Sequence, residues 1–203
     1  MVSVTHVVFD VGGVLVNEAR MWRGWAEVVG LDEAHFLAAL RDGIARGLGI
    51  GGTVRELAPG IDIAAHRARL AALEIPGEDD LYPDVRPALA SLRAAGLRIG
   101  IAGNQPRGVA EALAALDLGA DFIATSNDWG VSKPDPRFFA RVAESCGAEP
   151  RRIAYVGDRL DNDVAPARAA GMRPVLIPRG LWGHLGGRGD ITKLTELPQW
   201  LAS

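Results

Sequence analysis

Apolar positions recur along this chain with two different periods. Residues 4–9, Val-Thr-His-Val-Val-Phe, form a short run of mostly β-branched and aromatic side chains, which predicts a buried strand. Similar runs at 97–102, 121–125, 153–156 and 173–177 predict four more strands. Between them the period is helical. Val85, Leu89 and Leu92 share one helix face, as do Val109, Leu113 and Leu116, and Phe138, Val142 and Cys146. Residues 164–170 read as a helix closed by Gly171, and a short helix near 197–201 follows. Strand and helix alternate from residue 82 onward. That order predicts an α/β fold: a doubly wound parallel sheet with right-handed crossovers and helices on both faces.

Residues 18–81 follow another rule. Trp22, Trp25 and Val29 form one helical stripe, and Phe36, Leu40 and Ile44 another, after Asp32 as N-cap. A glycine-rich break at 47–52 precedes a third stripe of His66, Leu70 and Leu73. The segment reads as a helical insertion, dividing the chain into a core of 1–17 with 82–203 and a subdomain of 18–81. Its tryptophans are expected to pack in a core, and His35 and His66 to be ordinary helix residues. Residues 126–131 read as a loop. The glycine-rich stretch carrying Trp182 and His184 reads as a mobile surface loop without a functional role.

Composition narrows the function. The 203 residues are 48% hydrophobic, enough for a sizeable core, and a net charge of −3 gives no pull toward nucleic acid or an anionic membrane. Nothing approaches the roughly 18 consecutive apolar residues of a membrane span. Cys146 is the one cysteine, so no internal disulfide forms and a cytoplasmic location is expected. A monomer and a homodimer fit equally well. Lysine occurs only at 133 and 193, which makes each lysine easier to interpret.

The chemistry lies at the strand ends. Asp10 follows the first strand and runs into Gly12-Gly13; Gly103-Asn104 follows the second; Lys133 lies beyond the third; Asp158 and Asp163 follow the fourth. In a parallel sheet these ends share one edge, where such folds bind ligands. Three carboxylates crowded there repel one another, and Mg²⁺ with its preference for oxygen ligands relieves the repulsion. A lysine beside them adds a point charge suited to phosphate oxygens. Acid, cation and lysine together describe a site for phosphoryl transfer on a small phosphorylated substrate.

This ordered set resembles the haloacid dehalogenase superfamily of phosphohydrolases over nearly the whole chain. Phe-Asp10-Val-Gly-Gly-Val-Leu resembles the family's first motif, Ile-Ala-Gly103-Asn104 its second, Ser-Lys133-Pro-Asp-Pro its third and Val-Gly157-Asp158-Arg-Leu-Asp-Asn-Asp163-Val its fourth. The resemblance implies a Rossmann-like core with an inserted helical cap at 18–81. It implies Asp10 as nucleophile forming an aspartyl-phosphate. Asp10, Asp158 and the Gly12 carbonyl would hold Mg²⁺, with Asp163 supporting the site through a water or Lys133. Lys133 would hold the nucleophile and bind the phosphoryl group together with Gly103 and Asn104. Asp161 and Asn162, inside the fourth motif, read as turn and helix-start residues.

Two positions depart from that pattern. Gly12 stands where the family's phosphatases carry a second Asp that protonates the leaving group, a function typically worth 10²–10⁴-fold. Gly103 stands where a Ser or Thr hydroxyl meets the phosphate. Three readings follow: a slow or specialised phosphatase, a catalytically impaired protein that binds Mg²⁺ and a phosphorylated ligand or protein partner, or another chemistry of the superfamily. The phosphonate-cleaving branch needs a cap lysine, and residues 1–132 contain none. The dehalogenase branch uses no metal, against which the acids at 158 and 163 argue.

Overall fold

Five short strands pair through one parallel sheet, in the order β3-β2-β1-β4-β5. A computed structural model describes residues 3–183 and 188–203. The strands are β1 (His6–Phe9), β2 (Arg98–Gly103), β3 (Phe122–Thr125), β4 (Ile153–Gly157) and β5 (Arg173–Leu176). The first strand of the chain is the central one. Val7, Val8 and Phe9 are fully buried on it, as strands covered on both faces require. Burying such a side chain contributes roughly 1.5–3 kcal/mol before opposing terms. Phe9 pairs with Ile101 on one side and Val156 on the other, so the carboxyl ends of β1, β2 and β4 lie level.

Helices α5 (Val85–Ala94), α6 (Val109–Ala115), α8 (Pro136–Cys146) and α9 (Ala165–Ala169) fill the crossovers. Helix α8 starts with Asp135 as N-cap and Pro136 at its first turn, and it ends on Gly147 at φ 58°. Its Phe138, Phe139, Val142 and Cys146 pack on Val8, Ala102 and Tyr155 of the sheet. Phe138, Phe139 and Tyr155 meet edge to face, with ring centroids 5.5 and 5.3 Å apart. Cys146 is a core residue, and burial pushes its thiol up to about 12.

By contacts the chain divides into two units, Met1–Asn17 with Pro76–Ser203, and Glu18–Ile75. The first unit resumes at Pro76 rather than at 82. The reason is local: Asn17 donates to the Asp80 carbonyl at 2.7 Å, and Leu81 bridges Val16. The second unit holds α1 (Ala19–Val29), α2 (Glu33–Ala45), α3 (Gly49–Leu57) and α4 (Ile63–Glu74). Asp32 caps α2 by accepting from His35 N at 3.0 Å. Trp22 and Trp25 are buried.

Three local expectations are corrected. The glycine-rich break is narrower than 47–52, since α3 already begins at Gly49. Gly43 explains how that helix packs, for a Cβ there would overlap the Thr53 side chain of α3. Residues 126–129 are not loop but a helical turn, α7 (Ser126–Trp129), fixed by reciprocal bonds between Thr125 and Asp128. The helix expected at 164–170 begins earlier, as a π-helical turn at Leu160–Val164. The helical turn α10 (Gly180–Gly183) follows β5, whereas His184 lies outside the described residues. No helix among the described residues is long and apolar enough to cross a membrane.

Candidate active site

Asp10 prolongs β1 by one residue, its N–H bonded to the Val156 carbonyl at 2.9 Å. The chain then winds tightly. The N–H groups of Val14, Leu15 and Val16 all point to the Val11 carbonyl, and Gly13 N returns to the Val16 carbonyl at 2.9 Å. Gly13 has φ 69°, a conformation that favours glycine. Arg179, just beyond β5, clamps this turn. Its guanidinium donates to the Val14 carbonyl, pairs with Asp84 at 2.8 Å and lies 4.0 Å from the centre of the Tyr82 ring.

Asp158 follows β4, and Asp163 comes back to it from the π-helical turn. Each can direct a carboxylate oxygen, with Asp10, into a group whose ligand atoms lie within 4.8 Å of one another. All three are buried. Glycines at the strand ends make this convergence possible. A Cβ on Gly13 would stand 2.2 Å from Asp158 Oδ2, one on Gly103 2.3 Å from Asp10 Oδ1, and one on Gly157 2.3 Å from the Asp163 Cβ. Each carboxylate thus rests in space that any larger residue would fill. The glycine at 103, read from sequence as a missing hydroxyl, is also the seat of the Asp10 carboxylate.

Lys133 reaches the same point from the loop before α8. Its ammonium lies 2.8 Å from Asp10 Oδ1 and 2.6 Å from Asp163 Oδ1. Asn104 brackets the lysine from behind: its Nδ2 donates to the Lys133 carbonyl at 2.9 Å, and its Oδ1 accepts from Lys133 N at 2.8 Å. The Asn104 side chain is therefore engaged with the lysine main chain. Asp163 is likewise committed at both oxygens, the second accepting from Arg159 N at 3.0 Å. Asp161 pairs outward with Arg159 at 2.6 Å.

Among the described residues the cluster gathers three buried carboxylates around one buried ammonium. Burial raises the Asp10 carboxyl to about 6, countered by Lys133 and reinforced by Asp163. Burial alone would lower the Lys133 ammonium, but Asp10 and Asp163 outweigh it and hold the pKa well above the usual lysine value. The three converging carboxylates make an all-oxygen donor set of the kind that fits a hard divalent cation. Both Asp163 oxygens are already bonded, one to Lys133 and one to Arg159 N.

The sequence-predicted residues Asp10, Gly103, Asn104, Lys133, Asp158 and Asp163 thus meet at one sheet edge, with Gly12 in the turn beside Asp10. Sequence reasoning missed Arg179, Asp84 and Tyr155. A lone hydroxyl inside the buried strand before Gly157-Asp158 was the available signal for Tyr155; Arg179, one arginine among many, carried none.

Fold and site define a hydrolase built on an acidic strand-end cluster. The chain belongs to the haloacid dehalogenase-like hydrolases, whose family model matches residues 4–171. It is 28% identical to Phosphatase MT3486 of Mycobacterium tuberculosis over 221 aligned positions, covering 95% of both chains. It is 38% identical to a glyceraldehyde 3-phosphate phosphatase of Methanopyrus kandleri over 115 residues, a match spanning 54% of this chain and 48% of that one. Among solved structures, a predicted phosphoglycolate phosphatase from Haemophilus somnus superposes with a TM-score of 0.73 at 19% identity, covering 98% of both chains.

Proposed function

We propose that this protein is a Mg²⁺-dependent phosphatase of small phosphorylated metabolites that works through an aspartyl-phosphate on Asp10. The carrying observation is the buried Asp10–Lys133–Asp163 ion cluster with Asp158 beside it. An Asp10 carboxylate oxygen attacks phosphorus while the bond to the leaving oxygen breaks and takes the electron pair with it. Water then attacks the phosphorus of the acyl phosphate and returns the Asp10 carboxylate, its proton passing to solvent. Lys133 orients Asp10 and offsets charge on the phosphoryl oxygens. Asn104 fixes Lys133 by its backbone, and Asp163 anchors the ammonium from the other side. Mg²⁺, held by Asp10, Asp158 and the Gly12 carbonyl, would supply Lewis-acid charge stabilisation.

Gly12 brings no proton donor, which favours leaving groups that depart as stable anions, such as the carboxylate of an acyl phosphate. Mg²⁺-dependent phosphate release from acetyl phosphate and aryl phosphates, with little from alkyl phosphates, is the expected result. Gly12→Asp is expected to raise alkyl phosphate hydrolysis by about 10²-fold. The missing groups at Gly12 and Gly103 favour a second reading, a protein that binds Mg²⁺ and a phosphorylated ligand without turning it over. Retained Mg²⁺ binding with no release from any of these substrates would select it.

Metal binding should show in stability. Without metal, the Asp10 carboxyl titrates at about 6 when folded, against about 3.9 for an unperturbed Asp. Its contribution to stability is therefore complete below the unfolded value and is lost as pH rises through about 6. Added Mg²⁺ is expected to raise the melting temperature clearly at pH 7.5 and far less at pH 5. Equal shifts at both values in a calorimetric scan would separate Asp10 from the cation.

A further inference from the structure

We propose that the Tyr155 hydroxyl is a positioning residue for Lys133, accepting the third N–H of its ammonium. This rests on the proposed function for its kinetic consequence but not for its geometry. An ammonium has three donors. Asp10 and Asp163 take two of them. The remainder of the Lys133 head faces aromatic rings, with the Tyr155 centroid 5.7 Å and the Phe138 centroid 6.0 Å from Nζ.

Tyr155 is fully buried on β4, and its side chain crosses over β1 to donate its hydroxyl proton to the Ala102 carbonyl of β2 at 2.8 Å. With that proton committed, only the oxygen lone pairs remain to face the ammonium. Burial raises the Tyr155 phenol well above its usual pKa, and the neighbouring Lys133 charge counters that rise. The ring is itself wedged edge to face against Phe139, so the hydroxyl has little freedom to move. Tyr155 thereby ties the lysine to Ala102-Gly103, the strand end on which the Asp10 carboxylate rests, and fixes the rotation of the ammonium so that its other N–H bonds aim at the two carboxylates.

The composition makes the test simple. Lys133 is buried and Lys193 exposed, and they are the only lysines, so ¹⁵N-lysine labelling reads the Lys133 ammonium without overlap. In metal-free Tyr155→Phe, its ¹⁵N and proton resonances are expected to shift and its protons to exchange with water about 10-fold faster, as loss of a hydrogen bond to a charged group implies. In the Mg²⁺-loaded enzyme the same variant is expected to lose about 10-fold in kcat at unchanged KM. An unchanged ammonium signal in Tyr155→Phe overturns the proposal, even if kcat falls, because the hydroxyl would then serve packing alone. Failure of the wild type to release phosphate removes the proposed function and leaves the ammonium comparison decisive. Should the variant not fold, the wild-type protein decides by cross-relaxation between the Lys133 ammonium protons and the Tyr155 hydroxyl proton. That cross-peak is expected, and its absence from a spectrum that shows both protons overturns the proposal.

Discussion

Asp10→Asn is expected to lower phosphate release by at least about 10⁴-fold, the scale on which loss of a covalent nucleophile acts, with the fold intact. The amide keeps the shape of the carboxylate and an oxygen able to accept from Lys133 at the present 2.8 Å position. It loses the negative charge that attacks phosphorus. Burial already disfavours that charge, raising the Asp10 carboxyl to about 6. The metal-free variant should therefore melt at or above the wild-type temperature at pH 7.5, while binding Mg²⁺ more weakly. Phosphate release and thermal melting on the same preparation check both halves. Retention of more than a tenth of wild-type turnover would remove Asp10 from the nucleophile's role.

Lys133→Met is expected to act on stability first. The ammonium is 4% exposed and neutralises Asp10 and Asp163 at close range. Removing one partner from a buried ion cluster leaves uncompensated charge, which typically costs about 3–5 kcal/mol. Denaturant titration at pH 7.5 without metal measures that loss. Lower pH, by protonating Asp10, and Mg²⁺, by replacing the missing positive charge, should each restore part of it. Turnover of the Mg²⁺-loaded variant is expected to fall by about 10²–10³-fold, as when one preorganised donor to a developing charge is lost. A variant as stable as the wild type would mean that the Lys133 charge is not needed to hold the cluster together. Lys133→Arg is no substitute, since a planar guanidinium cannot fit the compact space between two carboxylates and two aromatic rings.

Much of this architecture was legible locally. The apolar runs found all five strands, because a strand covered on both faces must be apolar at successive positions. Asp32 before a helical stripe marked a true N-cap for the same kind of reason, the partner N–H being three residues away. The order of Asp10, Gly103, Lys133 and Asp158 implied a shared edge once the strands were taken as parallel. Where local signals misled, a tertiary contact had intervened. The glycine run at 47–52 looked like a break, yet Gly49 opens a helix whose Thr53 packs into the gap at Gly43.

By itself the sequence determined the strand and helix pattern, the α/β class and the residue types available at the sheet edge, since each of these is set by neighbours within a few positions. Only the tertiary structure decided what those residues do to one another: that Gly103, Gly13 and Gly157 make room for the three carboxylates, that Asn104 holds the Lys133 backbone, that Arg179 clamps the turn after Asp10, and that Tyr155 reaches across a strand toward the lysine. Apart from the approach of Asp163 to Gly157, these contacts join groups separated by tens of residues or more. Their formation depends on strand register and side-chain volume in three dimensions, which no periodicity along the chain encodes.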